Sequence, residues 1–360
     1  MQFELDEDQA ILRSSTRELL EKEASLADTR SIMEESAEGY SKSLFQKLGE
    51  LGYPGLLLDE EQGGLGALAF AIVMAEMGRV AFPGPFLDLA LAARTLAACG
   101  GAAAAFATRA AGGDALVVIA RSEDPGSADP AAVRCVFRDG RVVGTKVFVP
   151  FGAQADALLV ETTSGLALVE RPGTGWNATP LPTIDHAQRF ATIVFDDPAT
   201  LVADSKKSAA LLDEALRLGA LGASAQLFGL MERALEIAIA YTSERQAFGV
   251  PIGSFQALQH RCADMLLQTE SSRSAAFRAA WAEQHEPGEA AFLTSVAKAW
   301  AGPAARQVCG QTIQLLGGVG FTWEYDPHIY LKRVKTLEAF HGTTRWHTEN
   351  ALRLSAVLPG

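Results

Sequence analysis

The chain has 360 residues, enough for two or three domains with sizeable cores, and 48% of them are hydrophobic. A net charge of −12 without a basic stripe argues against nucleic-acid binding, yet leaves room for an anionic ligand held by a few local arginines and helix N-termini. No apolar run reaches the ~20 residues of a membrane span. The acidic start, Met1 to Asp8, predicts no secretory leader, and four scattered cysteines (Cys99, Cys135, Cys262, Cys309) predict reduced thiols in a cytoplasmic protein rather than a zinc or disulfide framework.

In chain order, apolar residues at helical spacing (Leu5, Ala10, Leu12, Leu19, Leu20) predict an amphipathic helix over 4–25. A second helix over 41–51 is stopped by Gly52 and the Pro54-Gly55 turn. After the glycine-rich loop at 60–66 come a helix over 67–80, a break at Pro83–Pro85, and a long Ala/Leu-rich helical stretch over 86–112. Strand-length β-branched runs then follow at 115–120, 133–137, 141–149, 157–161, 166–170 and 191–195, with a hairpin signal at Asp139-Gly140. From Ser208 helical patterns return, at 211–242, 255–283, 289–315 and 344–356. The order predicts an α+β chain: an N-terminal helical domain (1–113), a central antiparallel β-barrel or sandwich domain (114–205) and a C-terminal four-helix bundle (206–360).

Two segments carry chemistry. In Arg245-Gln246-Ala247-Phe248-Gly249-Val250-Pro251 a long helix is expected to reach Arg245 and end on Gly249, since Pro251 cannot continue it. This is either an ordinary helix corner or an anion clamp, with Arg245 contacting a phosphate and Phe248 offering a flat face. The second segment runs from Gln314 through Gly317, Gly318 and Gly320. Its glycines either end a helix or let the backbone approach a pyrophosphate. Nineteen residues separate Phe321 from His341-Gly342-Thr343.

Together these segments resemble the acyl-CoA dehydrogenase family of flavoproteins over almost the full chain. The Arg245-to-Gly249 corner and the Gln314-to-Gly320 run carry the resemblance, supported by Leu51 to Gly66, by Pro83 to Leu87 and by the spacing to Gly342-Thr343. It implies FAD, an acyl-CoA substrate, α,β-dehydrogenation of the thioester, electron transfer to an electron-transfer flavoprotein, and a tetramer of two dimers. It assigns cofactor contacts to Arg245, Phe248, Gln256, Gln314, Gly317, Gly318, Phe148 and Thr343, with the nucleotide half of FAD clamped across a subunit interface.

Other positions depart from the family pattern. Where a glutamate base is usual the chain has His341. The strand that faces the flavin reads Lys146-Val147-Phe148-Val149-Pro150; Phe148 can cover the ring, but Pro150 offers neither hydroxyl nor N–H. A loop of the family is reduced to Glu123-Asp124-Pro125-Gly126-Ser127, and the alternative base position falls near Gly219 or Ala220. Glu338 is a possible substitute base, while His347 and Glu349 read as features of the last helix. Loss confined to the flavin-and-base half resembles the heteromeric α2β2 actinobacterial enzymes for steroid side-chain CoA esters, in which a homologous partner supplies the base. The alternatives are a homotetramer using His341 or another base, another flavin reaction on the same fold, and a non-catalytic FAD- or CoA-binding homologue.

Overall fold

The computed structural model describes residues 5–124 and 133–355. Of the sequence expectations, Pro125, Gly126 and Ser127 lie outside the described residues, as do the outer ends of the first and last predicted helices, Glu4 and Ala356. The helices are α1 (Glu7–Glu23), α2 (Leu26–Glu35), α3 (Lys42–Glu50), α4 (Gly66–Arg79), α5 (Phe86–Cys99), α6 (Ala104–Ala111), α7 (Ser205–Glu244), α8 (Gln256–His285), α9 (Pro287–Leu316), α10 (Pro327–Ala339) and α11 (Thr344–Ser355). The strands are β1 (Val117–Ala120), β2 (Val136–Arg138), β3 (Arg141–Pro150), β4 (Ala157–Thr162), β5 (Gly165–Glu170), β6 (Ala178–Leu181), β7 (Phe190–Pro198), β8 (Thr200–Asp204), β9 (Gln246–Ala247) and β10 (Val250–Pro251). Packing divides the chain into two compact units. Of the described residues, one unit gathers those up to Arg30, Ala67–Phe82 and those from Ala220 to Ser355; the other holds those within Ser31–Gly66 and Pro83–Gly219.

In the first unit Asp6 opens α1 with a capping box. Its carboxylate accepts from Gln9 N at 2.9 Å while its own N–H donates to Gln9 Oε1 at 3.2 Å. Arg17 of α1 donates to Glu76 of α4 at 2.8 Å, and Arg79 of α4 donates to Glu236 of α7 at 2.8 Å. Glu76 is 4% exposed, and its ion pairs with Arg17 and Arg79 offset part of the cost of burying a carboxylate there. α4 and α7 meet almost backbone to backbone. A Cβ on Gly229 would lie 1.8 Å from the Ala75 carbonyl oxygen, and one on Gly78 would lie 2.2 Å from that of Gln226. Helix α9 is the centre of the C-terminal array, with α8, α10 and α11 all packed on it and Pro303 inside it. Helices α2 and α10 escaped the sequence reading, so the array holds α10 beyond the four helices expected. The Pro327 that could have signalled α10 occupies its first turn, where proline is tolerated.

In the second unit the predicted 86–112 helix is split into α5 and α6 at Gly100-Gly101, both of positive φ. Among the described residues the strands of this unit form two four-stranded sheets, β1-β4-β5-β8 and β2-β3-β7-β6, and not a closed barrel. The expectation of a purely antiparallel domain is corrected at one pair, β1 with β4, which is parallel. Between them the chain builds β2 and β3 in the other sheet and returns in its original direction. β2 and β3 pair as the Asp139-Gly140 hairpin predicts, with φ of 53° and 72° at its two turn residues. Short strands β6 and β8 lacked the apolar alternation that would have revealed them.

Candidate functional site

The Arg245 corner differs from the expected helix ending. α7 stops at Glu244, and the next residues form a hairpin with a two-residue loop, Ala247 opposite Val250 and Gln246 opposite Pro251. Phe248 (φ 55°) and Gly249 (φ 80°) occupy the loop, as in a type I′ turn. Glycine adopts such a φ freely; phenylalanine does so at a cost of order 1 kcal/mol or more. Phe248 is also 96% exposed, touching Phe255 edge to face with centroids 6.3 Å apart. A strained aromatic held out in water is unaccounted for by the packing of this unit. Beside it, the exposed Arg245 guanidinium has no hydrogen-bond or ion-pair partner among the described residues.

Gln256 is the first residue of α8 and Gln314 lies in the last turn of α9, both exposed. α8 and α9 are joined through Glu286 alone and run antiparallel. Arg261 donates to Gln311 at 3.1 Å, so the start of α8 lies beside the end of α9. Gly317 and Gly318 follow, and a Cβ on either would meet nothing within 4 Å, whereas one on Gly320 would lie 2.5 Å from the Ile313 carbonyl oxygen. Arg245, Phe248, Gln256, Gln314, Gly317 and Gly318 therefore gather at one end of the helical unit, where a guanidinium, an aromatic face and open backbone are all offered to solvent. Gly320 is a packing residue.

His341 lies elsewhere. It follows α10 with φ 56°, and Gly342 follows with φ 92°. A Cβ on Gly342 would meet His347 Nε2 at 2.5 Å, so only glycine fits there. Thr343 caps α11, its hydroxyl accepting from Trp346 N at 3.2 Å. The turn is held from inside. The Lys298 ammonium, 1% exposed on α9, donates to the carbonyls of Gly342 at 2.9 Å and Glu338 at 3.2 Å. His347, 2% exposed, places Nε2 2.8 Å from the His341 carbonyl, and because that oxygen can only accept, the ring proton belongs on Nε2. Its Nδ1 faces the Ser295 hydroxyl at 3.4 Å, and that oxygen accepts from Asn350 at 2.8 Å.

These groups set the electrostatics. Burial, then the Lys298 charge, then His347 push the His341 imidazole down to about 3. Burial lowers His347 to about 4, the Lys298 charge adding to it against the bond to the His341 carbonyl. Burial lowers Lys298 to about 7, opposed by Glu338. The Glu338 carboxylate sits 3.7 Å from Arg306. Glu349 pairs with Arg345 at 2.8 Å, as a helix feature should. His347, by contrast, is more than the helix feature expected of it, since it supports the 341 turn.

The structure does not bring His341 and the Arg245 end together within the unit. Lys298, under the His341 turn, precedes Gln314 by sixteen residues of α9, about 24 Å at 1.5 Å per residue. In the other unit, Phe148 (φ 51°) stands at the β3 bulge, 39% exposed and edge-on to Phe190 at 6.4 Å. Pro150 ends β3 opposite Phe190. Glu123 has a structural role: it accepts from the fully buried Lys146 at 2.7 Å and from the backbone N–H groups of Arg134 and Cys135. Gly219 and Ala220 are buried within α7. Among the described residues no cluster of His, Cys, Asp or Glu could hold a metal, the four cysteines are free, and no helix is long and apolar enough to cross a membrane.

Comparison with known proteins places this arrangement. The family model for the acyl-CoA dehydrogenase N-terminal domain matches residues 6–115, and that for the C-terminal domain matches residues 209–354. The chain is 32% identical over 337 residues to acyl-CoA dehydrogenase IpdE2 of Mycolicibacterium smegmatis, covering 91% of this chain and 93% of that protein. Among solved structures, the Tcur3481-Tcur3483 steroid ACAD superposes with a TM-score of 0.85 at 26% identity, over 98% of both chains. The ChsE4-ChsE5 complex from Mycobacterium tuberculosis gives 0.86 at 25% identity, over the whole of both chains. The chain belongs to the acyl-CoA dehydrogenase family, oxidoreductases that act on CH–CH groups.

Proposed function

We propose that this chain is the nucleotide-holding subunit of a hetero-oligomeric, FAD-dependent acyl-CoA dehydrogenase whose catalytic base comes from a homologous partner chain. The observation that carries this reading is the state of His341. Position 341 holds an imidazole in place of a carboxylate, and burial with the Lys298 charge holds its conjugate acid below the ordinary histidine range, which makes it a weak base for removing an α-proton from a thioester. Two neighbours support the reading: one is a complex of two named chains, the other a steroid ACAD named by two chains.

The Arg245 end fits the nucleotide half of FAD. Its unpaired guanidinium suits a diphosphate, the Phe248 ring suits a flat heterocycle, Gln256 and Gln314 offer amides, and Gly317 and Gly318 leave the backbone open to close approach. When bound, FAD would supply the hydride acceptor for α,β-dehydrogenation. Phe148, exposed at its bulge, is the residue of the β unit assigned to cover the flavin ring, and Thr343 is assigned to the cofactor's reactive side. The substrate class is a CoA thioester with a steroid-like acyl part, the electron acceptor an electron-transfer flavoprotein, and the compartment the cytoplasm.

The test is co-expression with a homologue encoded beside it. The chain alone is expected to emerge poor in flavin, and the pair yellow and bleached by an acyl-CoA. Flavin in the chain alone, bleached at full stoichiometry by a CoA ester, would instead establish a homomeric enzyme. Within the pair, Arg245→Ala should weaken FAD binding about 30-fold, the loss of one charge-assisted contact of about 2 kcal/mol, read by fluorescence titration of the apoprotein. An unchanged affinity would remove Arg245 from the clamp.

A further inference from the structure

We propose that Lys298 is a positioning residue for position 341: its ammonium holds the His341-Gly342 turn from the α9 side and sets the direction in which the residue at 341 projects. The inference concerns the turn itself and stands whichever chain supplies the base.

Three carbonyls at the end of α10 and in the turn after it, those of Glu338, His341 and Gly342, have their partners in side chains of other helices: Lys298 for the first and third, His347 for the second. The last carbonyls of a helix lack intrahelical donors and carry the negative end of its dipole, so a cation placed there meets both needs. The turn requires it, because two successive residues of positive φ, one of them a histidine, are held against their local preference. An ammonium that is 1% exposed is costly to bury, and the two carbonyls are its hydrogen-bond partners. The titratable and charged groups facing it are Glu338 on α10, His341 in the turn and His347 on α11; Arg306, on α9 itself, draws the Glu338 carboxylate to 3.7 Å. A packing lysine would require none of this convergence. The same cation opposes protonation of the His341 ring, so geometry and charge at 341 have one source.

The experiment follows the His341 ring by NMR, with ring carbons labelled, in the full chain and in Lys298→Met and Lys298→Arg. Met keeps the stem and removes the donor and charge; Arg keeps both. Lys298→Met, checked as folded by circular dichroism, should raise the His341 midpoint by about one pH unit or more and speed amide exchange at Gly342 and Thr343 at least tenfold. Lys298→Arg should return both close to the unaltered chain. A folded Lys298→Met with the same His341 midpoint and the same exchange rates would overturn the proposal. If Lys298→Met does not fold, the unaltered chain decides. As Lys298 loses its proton, which burial makes easier than for an exposed lysine, the His341 resonance should show an inflection, and a His341 trace flat from about pH 5 to 11 would overturn the proposal.

Discussion

Gly229→Ala is expected to destabilise the chain by about 3 kcal/mol or more and to lower its thermal midpoint by about 4 °C or more. The reason is the backbone contact between α4 and α7. The added methyl would sit 1.8 Å from the Ala75 carbonyl oxygen, less than any real Cβ contact, and neither helix can yield locally because the obstacle is backbone. The two helices must separate, and separation strains the pairs that Arg79 of α4 makes with Glu232 and Glu236 of α7 beside the contact. Gly310→Ala in α9 is the control of opposite sign. A Cβ there meets nothing within 4 Å, so the change should raise stability by about 0.5–1 kcal/mol through helix propensity alone. Calorimetry on both variants checks the pair. If Gly229→Ala melts within 2 °C of the unaltered chain, the close approach of α4 and α7 is wrong.

Acid should weaken the chain through His347. Its imidazole is buried and neutral, at about 4 against a reference near 6.5, so the unfolded chain binds its proton first as the pH falls. The contribution of His347 is therefore complete above about pH 6.5 and is lost as the pH falls toward about 4, by about 3 kcal/mol at 1.4 kcal/mol per pH unit. His341 acts with the same sign. So does Lys298 at higher pH: folded, it gives up its proton near about 7, well below the ordinary lysine value, so stability continues to rise toward pH 10. Urea midpoints at pH 4.5 and 7 measure the acid limb. His347→Gln, which can still donate to the His341 carbonyl but cannot titrate, should flatten much of it. An equal acid dependence in that variant would mean that His347 is solvated in solution.

What the sequence could reveal here was what local rules dictate. Gly249 and Gly317 announced chain turns because few other residues tolerate those backbone angles, and Asp139-Gly140 named its hairpin for the same reason. The long helices α7, α8 and α9 were legible because apolar positions at helical spacing recur over thirty or forty residues. The support under His341 was not legible. Lys298, Ser295, His347 and Asn350 come from α9 and α11, and only packing brings them to one turn. One signal was available: Lys298 is the only charge between Ala291 and Ala305, a run too apolar for a lysine of no consequence. The direction of β1 against β4 was equally out of reach, because it depends on a crossover through a second sheet.

Helix α9 bears the lysine beneath one turn near its middle and the glutamine-glycine run at its C-terminal end, with Pro303 between them. Proline has no N–H for the carbonyl four residues earlier, so the continuous helix lacks one rung of its hydrogen-bond ladder between its two working stretches. Bending or straightening there would move one stretch relative to the other while leaving every contacting side chain unaltered. Relatives with another residue at this joint would then be retuned in spacing rather than in chemistry.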